Sequence, residues 1–325
     1  MAGEKPDVLL VGARKPVLIN GLEPKVNLHD YLGAKDKDAF VASVADKIRA
    51  IAIAYTANKV DAAFLQKFPK LEQVSSFGVG YDHIDAKWAG AHGIIVTNTP
   101  DVLNEEVADT ALGLLLMTVR ELSAAERYLR AGKWGTDGDY CLTPQSLRDR
   151  TLGMVGYGRI GKAIAKRAAA FGMPITYFGR TKQADVTYPF YTDIVAMARH
   201  VDTLMVITPG GPATKGMIGK AVFEALGPRG IVINMARGTV VDEAALIEAL
   251  RKGTIFGAGL DVMYNEPQID PTLMTLPNTV LLPHVGSASQ FTRNGMGQLV
   301  ADNLKTYAER KPPLTPVPET LFKGW

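Results

Sequence analysis

The stretch Leu152-Gly153-Met154-Val155-Gly156-Tyr157-Gly158-Arg159-Ile160-Gly161 decides how this chain is read. A strand-like apolar start runs straight into G-x-G-x-x-G, and Ile160, Ile164, Ala168 and Phe171 then recur at helical spacing. Taken alone, such glycines mark an ordinary tight turn. Between a strand and a helix they form the phosphate-binding turn of a dinucleotide domain. Gly156 allows the sharp turn, Gly158 lets a pyrophosphate approach the backbone, and Gly161 lets the helix pack closely on the strand. The helix opening at Arg159 and Ile160 offers unpaired N–H groups and the positive end of its dipole to the anion. The stretch predicts a Rossmann-type, dinucleotide-binding unit.

The same alternation continues in both directions. Strands are expected over 151–155, 175–178, 203–207, 231–234, 257–262 and 279–282, and upstream over 7–11, 51–55, 71–76 and 94–97. Helices are expected over 38–50, 57–68 and 290–308. Strands separated by helices imply βαβ units and parallel sheets covered on both faces. Thr99-Pro100 interrupts the series, since the residue before a proline is pushed toward extended backbone. A long helix over 102–130 then connects two domains, and a polar, glycine-bearing loop over 131–150 follows. No repeat of solenoid period and no low-complexity tract is present.

Length and composition agree with two globular α/β domains. A chain of 325 residues is too long for one ordinary domain, the usual size being ~150 residues. Apolar residues at 47% and charged residues at 21% exclude disorder, collagen and coiled coil. The net charge of +3, with 36 Lys and Arg against 33 Asp and Glu and no basic tract, argues against a nucleic-acid binder. A single cysteine, Cys141, excludes an intramolecular disulfide and a cysteine zinc cluster. His29, His83, His92 and His200 lack ligand spacing, so no metal is expected. The apolar helical stretch 111–119 falls short of the ~20 residues that span a bilayer, and no secretory apolar region follows the start. These features point to a soluble, cytoplasmic protein without a membrane partner.

The end of the strand at 175–178 bears on which dinucleotide binds. An NAD site usually carries an Asp or Glu about 20 residues after the glycine turn, to hold the ribose hydroxyls. Here the sequence reads Tyr177-Phe178-Gly179-Arg180-Thr181-Lys182, without a carboxylate. Arg180 and Thr181 can hold a 2′-phosphate, so NADP is preferred, with NAD possible.

Three further segments follow expected strands. Asn234-Met235-Ala236-Arg237-Gly238 supplies a cation, Leu260-Asp261-Val262 with Asn265-Glu266-Pro267 supplies two acids, and Leu282-Pro283-His284-Val285-Gly286-Ser287 supplies a histidine. Singly, each has a duller reading: a core histidine, a turn carboxylate, a surface arginine. Together at strand ends they fit carbonyl reduction. A cation orients a 2-oxoacid, an imidazolium protonates the new alkoxide, and a carboxylate keeps that imidazole charged.

These segments, with Ser75-Ser76-Phe77-Gly78-Val79-Gly80-Tyr81-Asp82, Thr99-Pro100-Asp101-Val102-Leu103 and Val107-Ala108-Asp109, resemble the D-isomer-specific 2-hydroxyacid dehydrogenase family. The likeness runs from about Leu71 to the tail and is greatest to the glyoxylate/hydroxypyruvate and hydroxyphenylpyruvate reductases. It implies that Arg237 binds the substrate carboxylate and carbonyl, His284 is the acid/base, Glu266 orients it and Asp261 holds the nicotinamide amide. It also implies that the amides of Val79 and Gly80 anchor the substrate carboxylate, and that Gly132-Lys133-Trp134 belongs to a homodimer loop. The domains it implies are a discontinuous, flavodoxin-like substrate domain, 1–100 plus 289–325, and a dinucleotide-binding domain, 101–288, with the active site in the cleft. The segment 54–59 departs most from the family pattern, which leaves the choice of 2-oxoacid open, 2-ketogluconate included. A corepressor-like dinucleotide sensor of the same fold is the rival reading, although no basic or disordered extension supports it.

Overall fold

Short aliphatic runs become parallel strands here because helices cover both faces of each sheet, so neither face needs a polar row. The computed structural model describes residues 5–54 and 59–325 and divides into two compact units, Met1–Leu103 with Ser289–Trp325, and Asn104–Ala288. The expected strand 51–55 and helix 57–68 run partly into 55–58, and most of the segment 54–59 also lies outside the described residues.

In the first unit the strands are β1 (Asp7–Gly12), β2 (Asn27–Asp30), β3 (Ile48–Ala54), β4 (Gln73–Ser76) and β5 (Ile95–Thr97). They pair in parallel in the order β2-β1-β3-β4-β5, the doubly wound order of flavodoxin-like sheets. Leu9, Val11, Ile51, Ile53, Val74 and Val96 form the apolar centre. The helix Gln290–Ala308 packs on Pro16–Leu22 and against β4, which returns the end of the chain to this unit.

Two expectations fail here for identifiable reasons. The helix expected over 38–50 is a shorter helix, Lys37–Val44, and residues from Ile48 onward belong to β3. Ile48, Ala50, Ile51, Ala52 and Ile53 are all essentially fully buried. A run buried on both faces suits a central parallel strand rather than an amphipathic helix. The helix expected over 57–68 is reduced to Ala62–Leu65, capped by Asp61, whose Oδ1 accepts from the Phe64 amide at 3.1 Å.

In the second unit the strands are β6 (Leu152–Val155), β7 (Ile175–Phe178), β8 (Phe190–Tyr191), β9 (Thr203–Val206), β10 (Ile231–Asn234), β11 (Gly257–Leu260) and β12 (Thr279–Leu281). All pair in parallel, in the order β12-β11-β10-β9-β6-β7-β8. Numbered within the unit, that is the Rossmann order with its switch point between β6 and β9, where open α/β sheets bind ligands. The connector expected over 102–130 is two helices, Asn104–Val119 and Leu122–Arg130, broken where Glu121 takes φ 52°. The loop expected over 131–150 carries a short helix, Lys133–Thr136. Its far end is pinned by Arg150, whose fully buried guanidinium donates to the carbonyls of Ser146, Asp202 and Arg229. Among the described residues no helix is long and apolar enough to cross a membrane.

Candidate active site

The glycine turn after β6 is shaped by what each glycine cannot carry. Gly156 has φ 99°, and a Cβ there would lie 3.0 Å from the Ile207 carbonyl oxygen and the Thr208 nitrogen. A Cβ on Gly161 would lie 2.6 Å from the Gly156 carbonyl oxygen, so the helix Arg159–Ala170 can seat on the turn only with glycine there. Gly158 is different: a Cβ there meets nothing within 4 Å. Open space beside Gly158, at the N-terminus of a helix with no acid in its first turn, fits a dinucleotide pyrophosphate.

Arg180, Thr181 and Lys182 are exposed just past β7. Gln183 ties their turn to the glycine turn: its amide donates to the Tyr177 hydroxyl at 3.0 Å, and its Nε2 donates to the Tyr157 carbonyl at 2.6 Å. The fit favours a phosphate on the adenosine ribose, because the groups at the end of β7 are cationic or hydroxylic rather than acidic.

Arg237, Asp261, Glu266 and His284 follow the carboxyl ends of β10, β11 and β12, three neighbouring parallel strands. Glu266 Oε2 lies 2.7 Å from His284 Nδ1, and Glu266 Oε1 accepts from the Met263 amide at 2.8 Å. The two side chains are 30% and 41% exposed, so the pair keeps access to solvent. Burial alone would raise the Glu266 carboxyl. The hydrogen bonds from His284 and Met263, with the charges of His284 and Arg237, outweigh it and leave Glu266 below the usual carboxylate range. Glu266 is therefore an anion at neutral pH, and a carboxylate on Nδ1 leaves Nε2 as the outward nitrogen of the ring.

Asp261, 2% exposed, organises the histidine backbone. Its carboxylate accepts from the Val285 amide at 2.7 Å and the Gly286 amide at 2.9 Å, and its carbonyl accepts from the His284 amide at 2.9 Å. These bonds hold His284 at φ 54°, a left-handed conformation that a non-glycine residue rarely adopts. Burial raises the Asp261 carboxyl, and the two loop amides act against that shift. Asn234 shapes the arginine turn in the same way. Its Oδ1 accepts from the Ala236 amide at 3.0 Å and its Nδ2 donates to the Arg237 carbonyl at 3.1 Å. Gly238 lies against the backbone of Met263, where a Cβ would come within 2.0 Å.

Val79 and Gly80 follow β4 in the other unit, in a turn that starts at Gly78 with φ 146°. The structure thus draws Glu266, His284 and Asp261 together, brings the Arg237 charge to bear on Glu266, and holds Val79 and Gly80 in the other unit. The bracing roles of Met263, Asn234 and Gln183 escaped the sequence reading. Only Asn234, a polar residue ending an aliphatic strand, left a visible signal. Among the described residues no group of three or more His, Cys, Asp or Glu side chains gathers as a metal site would require.

The profile of the D-isomer specific 2-hydroxyacid dehydrogenase NAD-binding domain matches residues 112–286. The chain belongs to the D-isomer-specific 2-hydroxyacid dehydrogenases. Its similarity to known members extends over nearly the whole chain. It is 43% identical to a glyoxylate/hydroxypyruvate reductase A of Arabidopsis thaliana, over 97% of this chain and 99% of the relative. It is 42% identical to a hydroxyphenylpyruvate reductase of Plectranthus scutellarioides, over 95% and 98%. Among solved structures, it matches an NADPH-dependent glyoxylate/hydroxypyruvate reductase of Sinorhizobium meliloti, in complex with NADP and malonate. The TM-score is 0.93 at 47% identity, covering 98% of each chain. This dehydrogenase is an NAD(P)-dependent 2-oxoacid reductase.

Proposed function

We propose that the chain reduces small 2-oxoacids of the glyoxylate and hydroxypyruvate class to D-2-hydroxyacids, with NADPH preferred over NADH. The observation that carries the chemistry is the 2.7 Å pair between His284 and Glu266, which with Arg237 follows the ends of three neighbouring parallel strands. When bound, NADPH supplies the hydride. Gly156, Gly158, Arg159, Ile160 and Gly161 hold its pyrophosphate, Arg180 and Thr181 its 2′-phosphate, and Asp261 the nicotinamide amide. Arg237 binds and polarises the 2-oxoacid, and the amides of Val79 and Gly80 anchor its carboxylate. His284 gives a proton to the developing alkoxide, and the Glu266 anion keeps the ring charged and correctly turned.

On this reading, Met1–Leu103 with Ser289–Trp325 is the substrate domain and Asn104–Ala288 the cofactor domain. We also assign the protein to the cytoplasm as a homodimer. The helix Leu122–Arg130 buries none of its residues, and Leu129, Trp134 and Leu142 on and after it are 55%, 61% and 96% exposed, which suits cover by a second copy.

The test is a panel of glyoxylate, hydroxypyruvate, hydroxyphenylpyruvate, pyruvate and 2-ketogluconate, assayed with both cofactors. NADPH should exceed NADH in kcat/KM by roughly 10- to 150-fold, the worth of one charged contact to a phosphate. Equal or better efficiency with NADH rejects the cofactor assignment. A preference for 2-ketogluconate replaces the substrate assignment and leaves the chemistry intact.

A further inference from the structure

We infer that Asn98 is a positioning residue for substrate, acting through the turn that presents the Val79 and Gly80 amides; the inference rests on the proposed role of those amides as carboxylate anchor. The Gly78–Val79 peptide has its carbonyl held by the Thr99 amide at 2.9 Å. The next peptide, Val79–Gly80, has its carbonyl held by Asn98 Nδ2 at 2.9 Å. Two adjacent residues therefore clamp two adjacent peptides. In a trans peptide C=O and N–H point in opposite directions, so both N–H groups are aimed away from the 98–99 segment, side by side. A hydrogen bond to a carbonyl also makes the N–H of the same peptide a better donor. That pair of parallel donors is what a carboxylate requires.

The clamp is itself anchored. Thr99, fully buried, accepts from the Gly78 amide on its Oγ1 at 3.0 Å, closing a second bond to that residue. The main chain of Asn98 is bound to Thr315 on both sides: its amide donates to the Thr315 carbonyl at 3.2 Å, and its carbonyl accepts from the Thr315 hydroxyl at 2.6 Å. Buried Asn303 fixes Thr315 in turn, its Nδ2 donating to Thr315 Oγ1 at 2.9 Å. Because these bonds use backbone atoms of Asn98, they survive a side-chain substitution. Asn98→Ala removes the donor to the Val79 carbonyl and leaves the main-chain anchor in place.

The experiment pairs kinetics with a view of the amide. Asn98→Ala should raise KM for glyoxylate by roughly three- to tenfold, the worth of one hydrogen bond. Its kcat and its KM for NADPH should stay within about twofold of the parent. Asn98→Asp has the same shape, cannot donate and adds a like charge, so its KM should rise further; it also serves if the alanine variant fails to fold. Labelling valine carbonyls with carbon-13 and glycine amides with nitrogen-15 selects the Val11-Gly12, Val79-Gly80, Val155-Gly156 and Val285-Gly286 pairs alone. In the NADP-loaded parent, oxalate should shift the Gly80 signal, with a midpoint that rises in the variants in step with KM. If oxalate leaves the parent Gly80 signal in place, the carboxylate-anchor reading falls and takes this inference with it. If Gly80 moves in the parent while both variants keep the parent KM and midpoint, the anchor stands and the role of Asn98 is overturned. A fall in kcat at unchanged KM overturns it equally.

Discussion

The turn after β6 and the loop after β12 end strands of one parallel sheet, yet they are built by opposite means. The first works by omission. At Gly156 and Gly161 side chains are excluded by backbone atoms at 3.0 and 2.6 Å, and at Gly158 the missing side chain leaves open space. The second works by commitment. His284, Glu266 and Asp261 are ionisable, and nearly every polar atom described there has a fixed partner between 2.7 and 2.9 Å. Binding a pyrophosphate needs aligned N–H groups and room, which a rigid backbone supplies without any titrating group. Moving a proton needs a group whose charge can change, held by neighbours whose charge does not. The contrast implies that binding and chemistry can be removed separately.

The largest break comes from His284→Ala. Turnover should fall by ~10²–10⁴-fold, while NADPH affinity, followed by nicotinamide fluorescence, stays close to that of the parent. Loss of NADPH affinity alongside turnover would show that the two regions act as one.

Next in size are two identical substitutions in the glycine turn with opposite consequences. Gly158→Ala places a methyl into open space, so the melting temperature should hold while NADPH affinity drops by about tenfold or more. Gly161→Ala forces a methyl against the Gly156 carbonyl and should destabilise the fold by about 1–3 kcal/mol. Calorimetry and cofactor titration of both variants decide the matter, and equal melting points would contradict the packing described for Gly161.

The smallest effect sharpens the histidine side. Reduction requires a proton on His284, so its rate falls on the alkaline limb of the pH profile, and oxidation of the hydroxyacid rises there. Glu266→Gln keeps the shape and removes the charge that favours the imidazolium. The alkaline limb should move to lower pH, because the 2.7 Å carboxylate partner of the ring is lost. At the acid end the sign is fixed by the depressed Glu266 carboxyl. Its stabilising contribution is complete above the ordinary carboxylate range and is lost as pH falls through its folded value. Thermal melts of Glu266→Gln should therefore lose part of the acid-side slope. A pH–rate profile that does not move removes Glu266 from its assigned role.

Strongly buried elements were the most legible. Six of the seven strands of the larger sheet, all but β8, lie within two residues of their expected bounds at either end, because a run such as Ile231–Asn234, buried throughout, admits few other conformations. Elements with mixed burial were not. β2 has the pattern of a half-exposed edge strand over Asn-Leu-His-Asp, and β8 is two residues long, so neither leaves a periodic trace. The break at Glu121 carries no glycine or proline, so residue type gives no sign of its positive φ. At the site, residue types were legible and orientation was not. Glu266 and His284, eighteen residues apart, can be named from their motifs, but nothing in the sequence says which oxygen meets which nitrogen.

The sequence by itself determined what is local. Hydrophobic runs separated by helical spacing specify parallel strands, glycines at fixed intervals specify a tight strand-to-helix turn, and the absence of an acid after β7 specifies a turn that suits a phosphate. Each of these depends on neighbours a few residues away, whose geometry backbone sterics dictate. Tertiary structure alone decided what depends on distant backbone atoms. Asp261 meets the Val285 and Gly286 amides only because β11 and β12 are adjacent. Asn98 meets the Val79 carbonyl only because β4 and β5 are paired and the tail at Thr315 holds it there. Main-chain donors and acceptors are chemically alike at every residue, so their partners leave no mark in composition or spacing. They are settled by strand order and register, and with them the aim of every group in the site.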